Sequence, residues 1–437
     1  MSVAHALLPT PAANLDEPGF AVLGLPQPVI SALHRQRITS PTPVQAAVIP
    51  DALAGSDVLA RARTGSGKTL AFGLPMLVKL AGRRSKPRSP RGLILLPTRE
   101  LAIQVQAALE PLAASLHLKL VTVYGGTPYE RQIRRLREGA DIVVATPGRL
   151  EDLIEKRACH LGAVEVSVLD EADHLCDLGF FPVMSRLLTQ TPEHGQRMLL
   201  SATLDKDVDK LVRRHLRTPV VHELDPDQGA VTTMDHHVLV VEAPRKLAAT
   251  RDLLDANPRS MVFTRTRRGA TRLAKSLTAQ GHRAVELHGD LSQGARERNL
   301  ASFRSGRAQT VVATDVAARG IHVDQVSLVI HFDVPPAAKS YLHRSGRTAR
   351  AGESGAVVTM SSAEQVGEVV RMQTTAGVDA RHHNVDTVPR PMTAAALATS
   401  GTAAPRTSQP VRAATRKRSR SAGGRRPGSA RPARRSA

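Results

Sequence analysis

Along the chain, short apolar runs recur, and most stop at a glycine, a threonine, a proline or a charged residue. Residues 58–60, 92–96, 120–124, 141–145, 166–169 and 198–200 form one series of such runs, and 238–241, 261–263, 284–287, 310–313 and 326–330 form a second. Short, continuously apolar runs of this kind read as strands covered on both faces, the mark of a parallel sheet. Stretches at 29–35, from Val44 onward, at 70–80 and at 246–254 read as helices between them. The segment 217–233 carries Pro219, Pro226 and Gly229, has no period, and divides the two series. The pattern therefore predicts two α/β units, and 437 residues suit two domains of about 200 residues each. The expected layout is a disordered N-terminus at 1–15, a first domain at 16–217, a linker at 218–233, a second domain at 234–386 and a tail at 387–437.

Charge sharpens this picture. The net charge of +21 suggests a polyanionic partner. No Asp or Glu follows Asp386, whereas twelve Arg and Lys residues do, so the tail alone carries +12 and reads as a disordered polybasic segment. Aromatic residues make up only 2% of the chain and Trp is absent, so any stacking surface must use very few rings. The two cysteines, Cys159 and Cys176, offer neither a disulfide framework nor metal-ligand spacing, and fit a reducing cytoplasm. A secretory leader and a membrane span are not expected, because no basic segment precedes an apolar core and no apolar run is long enough to cross a bilayer.

Candidate chemistry sits where the apolar runs end. After 58–60 comes Ala62-Arg63-Thr64-Gly65-Ser66-Gly67-Lys68-Thr69, then a helix. Strand, glycine-rich turn and helix in that order make a phosphate cradle: Gly65 and Gly67 let backbone N–H groups converge on one anion. Lys68 adds a point charge, and the Thr69 hydroxyl suits Mg²⁺. Upstream, Pro41 and Pro43 bracket Thr42 ahead of a helix that carries Gln45, whose amide can meet an adenine edge, while Phe20 can pack on the base or serve as a core anchor. The runs at 92–96, 120–124 and 141–145 end in motifs containing Arg99, Gly126, Thr146 and Arg149, three polar motifs at one sheet edge that suggest a nucleic-acid track. The run at 166–169 ends in Asp170-Glu171-Ala172-Asp173, where Asp170 is placed to hold Mg²⁺ and Glu171 to activate water. Ser201 and Thr203 follow 198–200 and have hydroxyls able to bond Asp173.

The second series places Gln293 and Arg296 on a helix after His288-Gly289-Asp290, and Thr314 and Asp315 after 310–313. His343-Arg344-Ser345-Gly346-Arg347-Thr348-Ala349-Arg350 then gathers three arginines. They form either a solvated helix face or, in a two-domain nucleotide hydrolase, charges that reach the γ-phosphate, with Arg347 and Arg350 on one helical face.

With these motifs in this order, from Phe20 to Arg350, the chain resembles the DEAD-box family of ATP-dependent RNA helicases. The resemblance implies two tandem RecA-like parallel-sheet domains that close on ATP, Mg²⁺ and single-stranded RNA, and that open short duplexes locally. It implies that Phe20 and Gln45 select adenine, that 64–69 and Asp170 hold phosphate and Mg²⁺, and that Glu171 is the base. Arg347 and Arg350 are implied as arginine fingers, and Asp173, Ser201, Thr203, Asp315 and His343 as the coupling set. The RNA contacts it implies are Arg99, Gly126, Thr146 and Arg149 in the first domain and Arg265, Gln293, Arg296 and Thr314 in the second. Ribosomal and RNA-degradation complexes are compatible partners. An ATP-gated RNA clamp with little turnover and a DNA-directed helicase are the competing readings. Three positions depart from the family: Arg37 and Ala349 replace the usual glycines, and His322 stands where an acidic residue commonly approaches the ribose, so weaker ribose contact is expected.

Overall fold

The structure is a computed structural model, and it describes residues 19–62, 65–224, 234–318, 326–349, 354–388, 392–393, 397 and 402–403. In the first lobe the strands are β1 (Val58–Arg61), β2 (Gly92–Leu95), β3 (Leu120–Val123), β4 (Ile142–Ala145), β5 (Val166–Leu169), β6 (Gln196–Ser201) and β7 (Val220–Glu223). The helices are α1 (Gln27–Arg35), α2 (Pro43–Leu53), α3 (Lys68–Leu80), α4 (Arg99–Ala114), α5 (Tyr129–Arg137), α6 (Pro147–Glu155), α7 (Ala172–Asp177), α8 (Phe181–Thr189) and α9 (Lys206–His215). The strands pair in the order β3-β4-β2-β5-β6-β1-β7, all parallel.

The second lobe contains β8 (Met234–Val240), β9 (Ser260–Phe263), β10 (Ala284–Leu287), β11 (Thr310–Ala313), β12 (Leu328–His331), β13 (Gly355–Ser361), β14 (Arg381–Asn384) and β15 (Thr402–Ala403). Its helices are α10 (Lys246–Ala256), α11 (Arg267–Ala279), α12 (Gln293–Arg304), α13 (Asp315–Ala318), α14 (Ala338–Ser345) and α15 (Val366–Thr375). The order is β10-β11-β9-β12-β13-β8-β14-β15, parallel except for the β14–β15 pair.

Strand side chains alternate between two cores. Ile94 and Leu96 enter one first-lobe cluster with residues of α1 to α4, whereas Leu93 and Leu95 enter the opposite one with residues of α6, α8 and α9. Burial on both faces explains why these strands read as continuous apolar runs. The second lobe repeats the device: Met261 and Phe263 join the core that holds Phe303 and Tyr341, and Val262 joins the core of α10 and α11.

The expected boundaries shift in two places. Residues 220–223, assigned to the linker by composition, form β7 and pair with β1. Pro219 and the polar His222 and Glu223 hide the strand in the sequence. Past residue 387, assigned to the tail, Val388, Met392 and Leu397 are buried in the second-lobe core and β15 pairs with β14. The expected disorder at 1–15 and most of the basic tail lie outside the described residues.

Candidate active site

The cradle is built at the carboxyl end of β1. Gly65 and Gly67 both adopt left-handed backbone, at φ 92° and 95°, and α3 begins at Lys68 with Thr69 next. The preceding element is locked onto this turn. Gln45 accepts from the Thr42 N–H (3.0 Å), as part of a capping box at the start of α2, and donates from Nε2 to the Gly67 carbonyl (3.1 Å). A Cβ at position 67 would lie 2.5 Å from Gln45 Nε2, so only glycine fits. Gln45 thus ties α2 to the phosphate loop. Phe20 corrects one expectation: it is 1% exposed in the core, in a 3-10 turn packed on α1 and α2, and it offers no face to a ligand. Thr64 lies outside the described residues, while Ser66 is described beside Gly67 in the turn.

Lys68 is buried; its ammonium donates to the Ala62 carbonyl (2.9 Å) and sits 3.4 Å from Glu171 Oε1. Asp170, Glu171 and Asp173 are buried beside it at the end of β5. Burial pulls the Lys68 pKa down, but Glu171, Asp170 and Asp173 together hold it above the ordinary lysine value. For Asp170 the balance reverses: burial pushes its pKa up to about 7 against the pull of Lys68, with Glu171 and Asp173 adding to the rise. Burial also opposes ionisation of Glu171, yet Lys68, and across the interface Arg347, keep it below the ordinary glutamate value. Glu171 is moreover a non-glycine residue at φ 52°, a left-handed conformation that costs energy and recurs at functional sites.

Asp173 is the junction between lobes. Its Oδ2 accepts from the N–H (3.1 Å) and hydroxyl (2.9 Å) of Thr203, and its own N–H donates to Ser201 Oγ (3.2 Å). His343 of the second lobe brings Nε2 to 3.7 Å from the same Oδ2. Burial opposes the charge on Asp173, but His343, Lys68 and Thr203 hold it ionised, well below the usual carboxylate range. Four residues beyond His343, Arg347 is buried and donates from Nε to the His343 carbonyl (3.2 Å).

The arginine cluster is not one helical face. Helix α14 ends at Ser345, so Arg347 lies in the turn that follows, and Arg350 falls outside the described residues. Arg344, which composition alone would place in solvent, is 2% exposed. It grips Asp315 with two nitrogens (2.5 and 2.9 Å), donates to the Asp333 carbonyl (2.8 Å), and lies 5.4 Å from the Phe263 ring centroid. Sequence reasoning missed this role because partners 29 positions apart carry no spacing signal.

The expected RNA residues fall into two groups. Arg99 stacks against Gly126, where a Cβ would come within 2.2 Å of Nη1, and it reaches Gln293 of the second lobe at 3.5 Å. Gln293 also donates to Glu297 (3.0 Å), and Arg296 donates to Glu100 across the interface (2.8 Å). These residues are brought together. The others are more dispersed. Thr146 is buried ahead of α6; Arg149 donates to the Thr127 carbonyl (2.9 Å) and lies 4.0 Å above the Tyr129 ring. Thr314 is buried at the end of β11, and Arg265 is exposed, its N–H bonded to Asp333 (2.7 Å).

Two family descriptions match: DEAD/DEAH box helicase over residues 42–211, and helicase conserved C-terminal domain over residues 245–352. The DEAD-box ATP-dependent RNA helicase CshA of Geobacillus kaustophilus is 37% identical over 358 residues, covering 82% of this chain and 76% of that protein. DEAD-box ATP-dependent RNA helicase 9 of Oryza sativa subsp. japonica is 38% identical over 371 residues, covering 83% of this chain and 58% of that protein. This chain spans only 50–60% of the length of several such relatives. Among solved structures, S. cerevisiae Dbp5 bound to RNA and ADP BeF3 superposes with a TM-score of 0.75 at 26% identity, covering 84% of this chain and 96% of that one. Mss116p bound to ssRNA and AMP-PNP gives 0.76 at 29% identity, covering 85% and 80%. These matches, spread over both lobes and over every motif at their junction, establish that the chain belongs to the DEAD-box family of ATP-dependent RNA helicases.

Proposed function

We propose that this chain hydrolyses ATP when RNA is bound and uses the closed arrangement of its lobes to separate short RNA duplexes. One observation carries the reading: Lys68, Asp170, Glu171 and Asp173 of the first lobe converge on one buried point with His343 and Arg347 of the second. Only with the lobes together is this centre complete. Lys68 leaves Glu171 for the phosphates, and the freed carboxylate takes a proton from the attacking water. Arg347 meets the charge that develops on the γ-phosphate. Arg350 is assigned the same task by its place in the motif. Gln45, whose amide is bonded to Thr42 and Gly67, braces the phosphate loop, and adenine recognition is assigned to its remaining hydrogen-bond capacity.

Mg²⁺ suits the residues present. Asp170 is a buried carboxylate whose affinity for a proton is raised, a group that gains from a nearby cation. Among the described residues no cluster of three or more His, Cys, Asp or Glu side chains could cage a metal by itself. Asp170 and the Thr69 hydroxyl would hold the ion, with phosphate and water completing its shell. Bound there, it would polarise the β- and γ-phosphate oxygens.

For RNA we assign Arg99, Gly126, Thr146 and Arg149 in the first lobe and Arg265, Gln293, Arg296 and Thr314 in the second. Both structural relatives are bound to RNA together with a nucleotide analogue, which supports this assignment. The domains are drawn at 19–224 and 234–403. A cytoplasmic location agrees with the free thiols of Cys159 and Cys176; among the described residues no helix is long and apolar enough to cross a membrane.

The test is steady-state ATP turnover with and without single-stranded RNA, in the wild type and in Glu171→Gln. Turnover of the wild type should rise with RNA, and the variant should lose about 10²–10⁴-fold in kcat while retaining ATP binding, as expected for removal of a general base. A variant as fast as the wild type would remove Glu171 from the mechanism. RNA binding that depends on ATP without turnover in the wild type would mark a clamp instead.

A further inference from the structure

We infer that Lys339 is a positioning residue for the hydrolytic centre, an electrostatic latch joining the helix that delivers His343 to the helix that begins within the tetrad Asp170-Glu171-Ala172-Asp173. The inference rests on the function proposed above. Lys339 lies in the first turn of α14; its ammonium donates to Asp177 Oδ1 (2.8 Å) and to Asp205 Oδ2 (2.6 Å), both on the other lobe. Asp177 is the last residue of α7, whose first turn holds Asp173, and Asp205 is the N-cap of α9, two residues past Thr203. The three side chains are only 26–37% exposed.

The placement of these charges argues for purpose. A cation in the first turn of a helix and a carboxylate in the last turn each oppose the helix dipole. Lys339 and Asp177 are each at the wrong end of their own helix, and their bond across the interface, with Asp205 beside it, offsets both. Burial alone would depress the Lys339 pKa, yet Asp177 and Asp205 raise it above the ordinary value. From Lys339 it is one helical turn to His343, which faces Asp173 at 3.7 Å, and one residue further to buried Arg344. Seating Lys339 between the two aspartates therefore fixes where α14 enters the interface, and with it the approach of His343 and Arg347. Lys339 touches neither the phosphate loop nor the tetrad carboxylates, so it acts on their alignment.

The experiment uses the full chain, saturating single-stranded RNA, and dyes on the two lobes to read closure by energy transfer. Lys339→Asp should lower RNA-saturated kcat about tenfold, a modest value because the cluster is partly solvated. The KM for ATP should stay within about twofold, since the cradle is untouched. Pairing Lys339→Asp with Asp177→Lys should restore most of the turnover and of the closure, because both charges then suit their helix ends and still attract each other. A residue that merely supported the fold would not be rescued by the exchange. Closure and kcat of Lys339→Asp equal to wild type, or an exchange no better than the single variant, would overturn the latch. A wild type that closes on ATP and RNA without hydrolysis would overturn the ATPase reading and leave the latch standing on the closure signal.

Discussion

Left-handed backbone at non-glycine residues separates function from accident. Glu171 at φ 52° is held by burial, by Lys68 and by its N–H bond to Asp170 (2.9 Å), so its strain is retained where the chemistry is assigned. Arg37 at φ 60° and Ala349 at φ 51°, the two positions at which the resemblance implies glycine, both take the backbone conformation that favours it. Arg37 is exposed and only ends α1, its N–H bonded to the His34 carbonyl (2.9 Å). Glycine there would remove about 1–2 kcal/mol of left-handed strain but add unfolded-chain entropy, for a net gain of roughly 0.5–1 kcal/mol. Arg37→Gly should accordingly raise the melting temperature of the first lobe by about 1–3 °C in calorimetry. A lower melting temperature would mean that the Arg37 side chain supplies stabilisation its exposed position does not suggest. At this scale the tetrad, Lys68 and the glycines were legible because each is a local motif. Arg344 was not, because only its contact with Asp315 distinguishes it from a solvated arginine.

Among elements, strands with apolar residues on both faces announced themselves and strands with buried polar residues did not. The sequence reading starts β8 at Val238; the strand begins at Met234, because His236 and His237 look like solvent-facing residues but are 5% and 1% exposed. Strand β13 escaped notice altogether, and its Thr359 and Ser361 are fully buried. Strands β8, β12 and β14 carry buried imidazoles. His236 Nδ1 lies 2.8 Å from the Tyr341 hydroxyl, His331 Nδ1 lies 3.0 Å from Thr359 Oγ1, and His237 Nδ1 lies 3.1 Å from His383 Nε2. Burial lowers the pKa of His236 to about 4 and of His237 to about 3, and drives that of His331 well below the usual value, with Arg344 reinforcing the last. The unfolded chain protonates these groups near pH 6.5 and the folded lobe does not, so stability is complete above that pH and falls as pH drops toward about 4. Each fully buried imidazole contributes a loss of up to about 1.4 kcal/mol per pH unit within that window. Urea unfolding followed by circular dichroism should therefore show a lower midpoint for the second lobe at pH 5 than at pH 7. An equal midpoint at both would show that these imidazoles are already solvated or charged.

For the whole molecule, the interface and the surplus charge act together. The lobes meet through ion pairs, Arg296 with Glu100 and Lys339 with Asp177 and Asp205, and through the approach of His343 to Asp173. The ion pairs were not visible in the sequence, since charges on separate domains have no fixed spacing, and His343 and Asp173 were grouped only by the resemblance to the family. The imbalance of charge, by contrast, was plain: residues 404–437 hold eleven Arg and Lys residues and no acid. A partner of opposite charge bound through such a segment releases its counterions, so the segment should contribute affinity that salt removes. For single-stranded RNA each phosphate neutralised adds about 0.7 to the slope of log affinity against log salt, so engagement of half these cations makes the slope steeper by about 4. A chain ending at residue 403 should bind a single-stranded RNA more weakly at low salt, with a slope shallower by about that amount in fluorescence anisotropy. Its turnover at saturating RNA should be unchanged, because every group assigned to hydrolysis precedes residue 351. An unchanged slope would reduce the basic segment to a solubilising role and leave the interlobe groove as the principal source of RNA affinity. A fall in saturated turnover would instead show that the segment takes part in closing the lobes.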